Sequence, residues 1–245
     1  MLTKADHLES IAKDRDDLAA AIRAAAYFDL HEGICNHFSV RCEGPDELYL
    51  INAYGWHWSE VTPKRLMLID GDGNVIEGEG EVEATARFIH VSAHRANPRH
   101  KAVFHVHCPS ATAISMLDGG RLEMAHQTAC RFHERIAYED QFGGLGSTEE
   151  EGDRLAGLTR DDPEVDALFL ANHGVVCNGE TVAQAFDDLY YLERAARQQI
   201  LAQSTGQPLK LIPDDVVELT AKQFRADFAL YAEKHFEALK RLVSL

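Results

Sequence analysis

AVFHVHCPS, residues 102–110, places two histidines one residue apart inside an apolar run and then breaks the run with Cys108 and Pro109. Val103, Phe104 and Val106 favour a pleated, largely buried surface, so the stretch reads as a strand. Side chains alternate faces along a strand, and His105 and His107 therefore point the same way. An unpartnered buried polar group costs on the order of 1–3 kcal/mol. Two imidazoles on one buried face thus either hydrogen-bond within the core, the ordinary fate of a single buried histidine, or share a ligand. A divalent metal suits that geometry, and a third ligand from elsewhere in the chain decides between the two readings.

Working outward, 245 residues with 45% hydrophobic content suffice for one large domain or two small ones. No repeat, low-complexity tract or Pro/Gly/Ser-rich linker divides the sequence, which predicts a single domain over 1–245 with a helical extension from about 205. The formal charge of -16 argues against nucleic acid or an anionic membrane surface as partner. The five cysteines (35, 42, 108, 130 and 177) include no CxxC pair, so neither a disulfide framework nor a zinc ribbon is indicated. The charged opening MLTKADHLESIAKDRDD lacks a signal-peptide core, and no apolar run approaches the ~20 residues of a membrane span. These features together predict a cytoplasmic protein without a membrane partner.

Leu8, Ile11, Leu18 and Ile22 recur at helical spacing and predict an amphipathic helix over about 6–28. Short strands are expected at 37–41 and 47–52, and a hairpin at 65–70 and 74–80 around Gly71-Asp72-Gly73. The period changes over 83–96, a predicted helix stopped by Asn97-Pro98, and the histidine strand follows. A short helix over 110–117 leads into a loop-rich stretch to Gly146. DALFLANHGVVCNG, 166–179, reads as two strands meeting at Asn172-His173-Gly174, followed by a helix from Thr181 to about Gln203 and a last helix from Pro213.

A histidine at a tight turn has a capping role when considered alone. Coupled to His105 and His107, His173 becomes the missing third ligand, and three neutral imidazoles with one open position are the pattern of a catalytic rather than a structural zinc site. ICNHFSVR (34–41), AVFHVHCPSATAIS (102–115), LFLANHGVVCNGETVAQAF (168–186) and YLERAARQQ (191–199) together resemble the class II aldolase/adducin head-domain family, from about Leu18 to Gln203. The overall pattern, including HQTACRF and the NAYG loop, looks closer to its bacterial adducin-like branch than to its characterised aldolases. The resemblance implies a three-layer α/β/α sandwich with a mixed, mostly antiparallel central sheet. It also implies a divalent metal on His105, His107 and His173, and commonly a homotetramer with sites between subunits. A cupin would want a carboxylate shortly after the pair, where CPSATA stands, and an amidohydrolase barrel would need a βα repeat.

Three departures from the family's sugar-phosphate aldolases bear on activity. Their acid/base Glu, four residues before a histidine that matches His90, corresponds to Ala86 here; Glu83 lies one turn earlier and either substitutes for it or is a solvated helix-start glutamate. Their phosphate cradle corresponds to Cys35-Asn36, Asn52-Ala-Tyr-Gly55 and Ala84-Thr85, with small or hydroxyl positions lost. Their proton-donating tyrosine corresponds to Gln127, after His126.

The expected function is a metal-dependent carbon–carbon lyase, of aldolase or decarboxylase type, acting on a small non-phosphorylated hydroxy- or oxo-acid through a metal-stabilised enolate. The metal is expected to be Zn2+, with Fe2+, Mn2+ or Co2+ as alternatives. Glu83, His126, His133 and Tyr138 are candidate proton carriers, and Asn36, Ser39, Gly55, Thr85 and Gln127 candidate substrate contacts. A non-haem iron oxygenase on the same histidines and a non-catalytic adducin-like assembly domain are the rival readings. His90 and His94, at i, i+4, are expected to line the pocket or be solvated, and Cys108 to be packed. Tyr190 and Tyr191 are read as interface or core aromatics, and Arg41 and Arg131 as carboxylate-binding or ion-paired.

Overall fold

A computed structural model describes residues 4–44, 46–145 and 148–244; residues 1–3, Pro45, Gly146, Ser147 and Leu245 lie outside that description, including the last residue of the loop-rich stretch. Among the described residues, eight strands form one sheet: β1 (His37–Arg41), β2 (Leu48–Asn52), β3 (Leu66–Asp70), β4 (Val75–Glu77), β5 (Ala102–Val106), β6 (Ile136–Glu139), β7 (Ala167–Leu170) and β8 (Gly174–Gly179). Their order is β4-β3-β2-β1-β5-β8-β7-β6, and every neighbouring pair is antiparallel except β6 with β7. The α-helices of the described residues are α1 (Lys4–Tyr27), α2 (Ala84–Ala96), α3 (Pro109–Ser115), α4 (Glu149–Asp161), α5 (Val182–Gln203) and α6 (Asp214–Leu242). The expected three-layer sandwich with a mostly antiparallel sheet is the observed architecture.

Strand alternation sorts the core onto two sheet faces. Phe38 and Val40 of β1, Phe104 and Val106 of β5, and Val175 and Cys177 of β8 bury against α1, α3, α5 and α6. Phe38 and Phe104 stack there, with ring centroids 3.8 Å apart. On the opposite face, α2 and α4 cover two smaller apolar clusters, one around Tyr49, Ile51 and Met67 and one around Val103, Leu168 and Val176. Between these two clusters the same face is polar: His37 and Ser39 of β1 and His105 of β5 sit there, with His37 directly opposite His105 in the register. That polar strip is where the site forms.

The fold departs from the sequence expectations at two places. The stretch 118–146 holds a short 3-10 turn (Ala129–Phe132) and strand β6, and α4 follows it. β6 is only four residues long, and its pairing with β7 is what makes it a strand. α4 carried a legible signal: the Thr148 hydroxyl accepts from the Glu151 amide, three glutamates fill the first turn, and Leu155 is buried. His90 and His94 are not solvated, each being 1% exposed. Cys108 is fully buried, as expected. Arg131 makes a buried ion pair with Asp187, while Arg41 donates to the Pro98 carbonyl. Tyr190 and Tyr191 pack partly buried against the main core.

Candidate metal centre

His105 is central in the sheet and His107 lies just past the end of β5, so both follow the face predicted by alternation. His173 comes from the turn between β7 and β8, in which Asn172 takes a left-handed φ of 57°, a conformation asparagine tolerates better than most residues. Gly174 follows because a Cβ there would stand 2.5 Å from the Val106 carbonyl oxygen and 2.8 Å from His107 Cδ2. Without a side chain, the turn lies against the end of β5. The three rings converge, with centroids 5.1 Å (His105–His107), 4.8 Å (His105–His173) and 4.9 Å (His107–His173) apart. One ligand atom from each lies within 4.8 Å of the others.

The hydrogen bonds around the triad fix which nitrogens are free. His105 Nδ1 donates to the Val175 carbonyl at 3.1 Å, leaving Nε2 bare. His107 Nδ1 meets Glu32 Oε2 at 2.6 Å, and its Nε2 is buried without a partner. Burial, reinforced by the neighbouring imidazoles, pushes His105 well below the usual histidine range and His173 down to about 4, so both are neutral at pH 7. Bare, convergent nitrogens with the second nitrogen of two rings held by a carbonyl and a carboxylate form a donor set that fits a divalent metal.

Two supports were not foreseen. Asn36, in a left-handed conformation (φ 80°), accepts the Glu32 and His107 amides on Oδ1 at 2.9 and 3.3 Å, tying the Glu32 loop to the end of β5. Glu193 of α5 accepts the Ser110 and Ala111 amides at 2.8–3.0 Å and anchors the first turn of α3, directly after the histidine strand. Glu32 and Glu193 lay inside the motifs already singled out or beside them, but nothing in their spacing pointed to these partners.

Glu83 occupies the N-cap position of α2 without capping it. Its carboxylate turns to His37 Nε2 at 2.7 Å and accepts the Thr85 hydroxyl at 3.1 Å. The His37 hydrogen bond holds the carboxyl below the ordinary range, and His107 adds to the effect. Ala86 is buried in the apolar cluster with Tyr49 and Ile51, so the position of the aldolases' carboxylate is filled by a core methyl group. Ser39 is fully buried and bonds His90 and His94. Gly55 follows β2 in a loop with φ 91°.

The remaining candidates are not brought together with the triad within one chain. His126 and Gln127 are exposed, and His126 lines an apolar cavity of about 490 Å³ between α5 and the segment around Pro208. His133 ends the neighbouring 3-10 turn, its carbonyl accepting from Arg225 of α6. Tyr138 stacks on Phe169 at 5.3 Å and its hydroxyl accepts the Leu122 amide at 3.0 Å; burial raises its pKa. The physical reason is topological: residues 121–135, which carry His126, Gln127 and His133, run along α5 and α6 on the face of the sheet opposite α2, and Tyr138 stands on β6 at the sheet edge.

Residues 16–200 match the profile of the Class II Aldolase and Adducin N-terminal domain. A solved aldolase II superfamily protein from Pseudomonas syringae superposes with a TM-score of 0.88 at 32% identity, covering 96% of this chain and 93% of that one. Decarboxylase NovR from Streptomyces niveus is 32% identical over 90% of this chain and 80% of its own length. A 4-hydroxy-3-prenylphenylpyruvate oxygenase/4-hydroxy-3-prenylbenzoate synthase from Streptomyces roseochromogenus subsp. oscitans is 31% identical, with 90% and 78% covered.

Proposed function

Because the chain belongs to the class II aldolase and adducin N-terminal domain family, we propose that it is a divalent-metal-dependent carbon–carbon lyase, of aldolase or decarboxylase type, for a small non-phosphorylated hydroxy- or oxo-acid. The observation that carries this reading is the triad itself, above all the buried, partnerless Nε2 of His107. A divalent cation held by His105, His107 and His173 supplies a Lewis acid that stabilises negative charge developing on a carbonyl oxygen as an adjacent carbon–carbon bond breaks, and Zn2+, Fe2+, Mn2+ or Co2+ suits these donors.

Glu32 and the Val175 carbonyl orient their two imidazoles and keep Nε2 free on each. Glu83, ionised and held by His37 and Thr85, is the proton acceptor of the site. The same carboxylate supports exclusion of sugar phosphates: the Thr85 hydroxyl already donates to it, and its charge repels a phosphate dianion. His126, Gln127 and Tyr138 reach a site only in a homotetramer in which a neighbouring copy supplies them.

The test is elemental analysis of protein purified without chelators, followed by turnover assays on a panel of 2-oxo and 2-hydroxy acids with and without phosphate. One divalent ion per chain and loss of ion and turnover together in His105→Ala/His107→Ala are expected. Full turnover in that variant overturns the reading, and turnover confined to phosphorylated substrates overturns the substrate class. The oxygenase-named relative favours a second reading, an Fe2+ enzyme that consumes O2; stoichiometric O2 uptake with the same acids separates it from a lyase. A metal-free protein inert to the whole panel would mark an assembly domain.

A further inference from the structure

Behind the triad, α2 and β1 carry a run of hydrogen bonds that the lyase reading does not use. His94 Nδ1 lies 3.0 Å from the His100 carbonyl oxygen, which only accepts, so the proton is on Nδ1. Burial pushes His94 down to about 3, leaving it neutral with a bare Nε2. The Ser39 hydroxyl, 2.8 Å from that Nε2, donates to it and spends its one proton. Ser39 Oγ, 2.6 Å from His90 Nδ1, is then an acceptor, and His90 carries its proton on Nδ1. A backbone carbonyl thus dictates one tautomer after another: His94, Ser39, His90.

The far end of this run is His90 Nε2, a bare acceptor that is buried and has no partner. Leaving such an atom unpaired is unfavourable, so it calls for an explanation. The His90 ring packs edge-on against His37, with centroids 5.7 Å apart and planes at 87°. On the other side, His37 stacks 6.2 Å from His105. His37 is therefore clamped between His90 and the triad, with its Nε2 on Glu83.

We propose that His90 is a positioning residue, held in a single tautomer by the His100 carbonyl through His94 and Ser39, and that it fixes the His37 ring which in turn aims Glu83 at the metal centre. The role of Glu83 as proton acceptor rests on the lyase reading; the tautomer order and the clamp do not. The arrangement accounts for three features at once: a serine facing inward on a central strand, two buried histidines one turn apart, and an N-cap glutamate that caps no backbone amide of its helix. It predicts that the site's geometry depends on a serine that touches neither metal nor substrate.

The experiment is long-range 1H–15N NMR of the imidazoles in the metal-free full-length protein, wild type against Ser39→Ala, Ser39→Thr and His90→Phe, with zinc uptake measured on each. His90 and His94 are expected as Nδ1–H tautomers, and the His37 Nε2 proton shared with Glu83 as a downfield resonance. Ser39→Ala releases His90 from its single tautomer, and Ser39→Ala and His90→Phe each broaden or abolish the His37 signal. Ser39→Thr keeps both features, and all three variants take up zinc as the wild type does, which separates a lost clamp from a lost fold. A wild-type His90 protonated on Nε2, or a His37 signal unchanged in both Ser39→Ala and His90→Phe, overturns the proposal. If the NMR results hold and the zinc-loaded wild type cleaves no acid in the panel, the lyase reading fails while the clamp stands.

Discussion

A methyl group at position 174 would stand 2.5 Å from the Val106 carbonyl oxygen and 2.8 Å from His107 Cδ2, in the contact that brings His173 to its partners. Gly174→Ala must push the turn away from β5, with about 1–3 kcal/mol of strain. Its expected effect is a metal affinity at least tenfold weaker, read by competition with a chromophoric chelator. Glu32 acts at one remove, through His107 Nδ1. Glu32→Ala is expected to weaken metal binding about 10–100-fold in the same assay while leaving the unfolding midpoint of the metal-free protein nearly unchanged, because the carboxylate is mostly exposed. An affinity within twofold of wild type in either variant would remove that residue from the account of the centre.

Among the elements, β5 is both the scaffold of the site and the middle of the sheet, and its alternation was readable because Phe104 and Val106 bury on one face while Val103 and His105 take the other. Phe104→Ala opens a cavity beneath the site and is expected to cost about 3–5 kcal/mol in urea unfolding. The α3 start is held by Glu193, a buried carboxylate with three amide contacts from Ser110 and Ala111. Glu193→Ala leaves buried donors unpaired and is expected to cost about 2–4 kcal/mol, measured the same way. A loss below 1 kcal/mol would mean that water replaces the carboxylate. β6 escaped the sequence reading because a four-residue strand is defined by its neighbour, whereas α4 escaped although its cap and acidic first turn were present.

Across the whole molecule, the cost of keeping histidines neutral in the interior becomes a pH dependence. An unfolded histidine takes up a proton below about pH 6.5; His94 in the fold resists until about pH 3. The unfolded chain therefore binds more protons between these limits, and stability contributed at neutral pH is lost as the pH falls through that window. In urea unfolding of the metal-free protein, wild type is expected to lose more stability between pH 6.5 and 4 than His94→Gln; equal losses would contradict the burial of His94. No helix among the described residues is long and apolar enough to cross a membrane. Exposed Leu219, Leu230 and Tyr231 on α6 fit a face covered in an oligomer, and light scattering is expected to give four times the 27.3 kDa of the chain.

The amino-acid order alone was enough to place the histidine strand, the Asn172-His173-Gly174 turn and both long C-terminal helices. These are local properties: side-chain periodicity states which face a residue takes, and a turn residue states where the chain reverses. What the fold decided is who meets whom. His37 finds Glu83 across 46 residues and His107 finds Glu32 across 75, because antiparallel register sets β1 beside β5 and α2 lies over both. The same register turned Ser39 from a candidate substrate contact into a buried link between two histidines, and packing of the segment before β6 along α5 carried His126 and Gln127 to the other face of the sheet. No period in a sequence encodes a crossing of two distant strands; only packing of the assembled layers determines it.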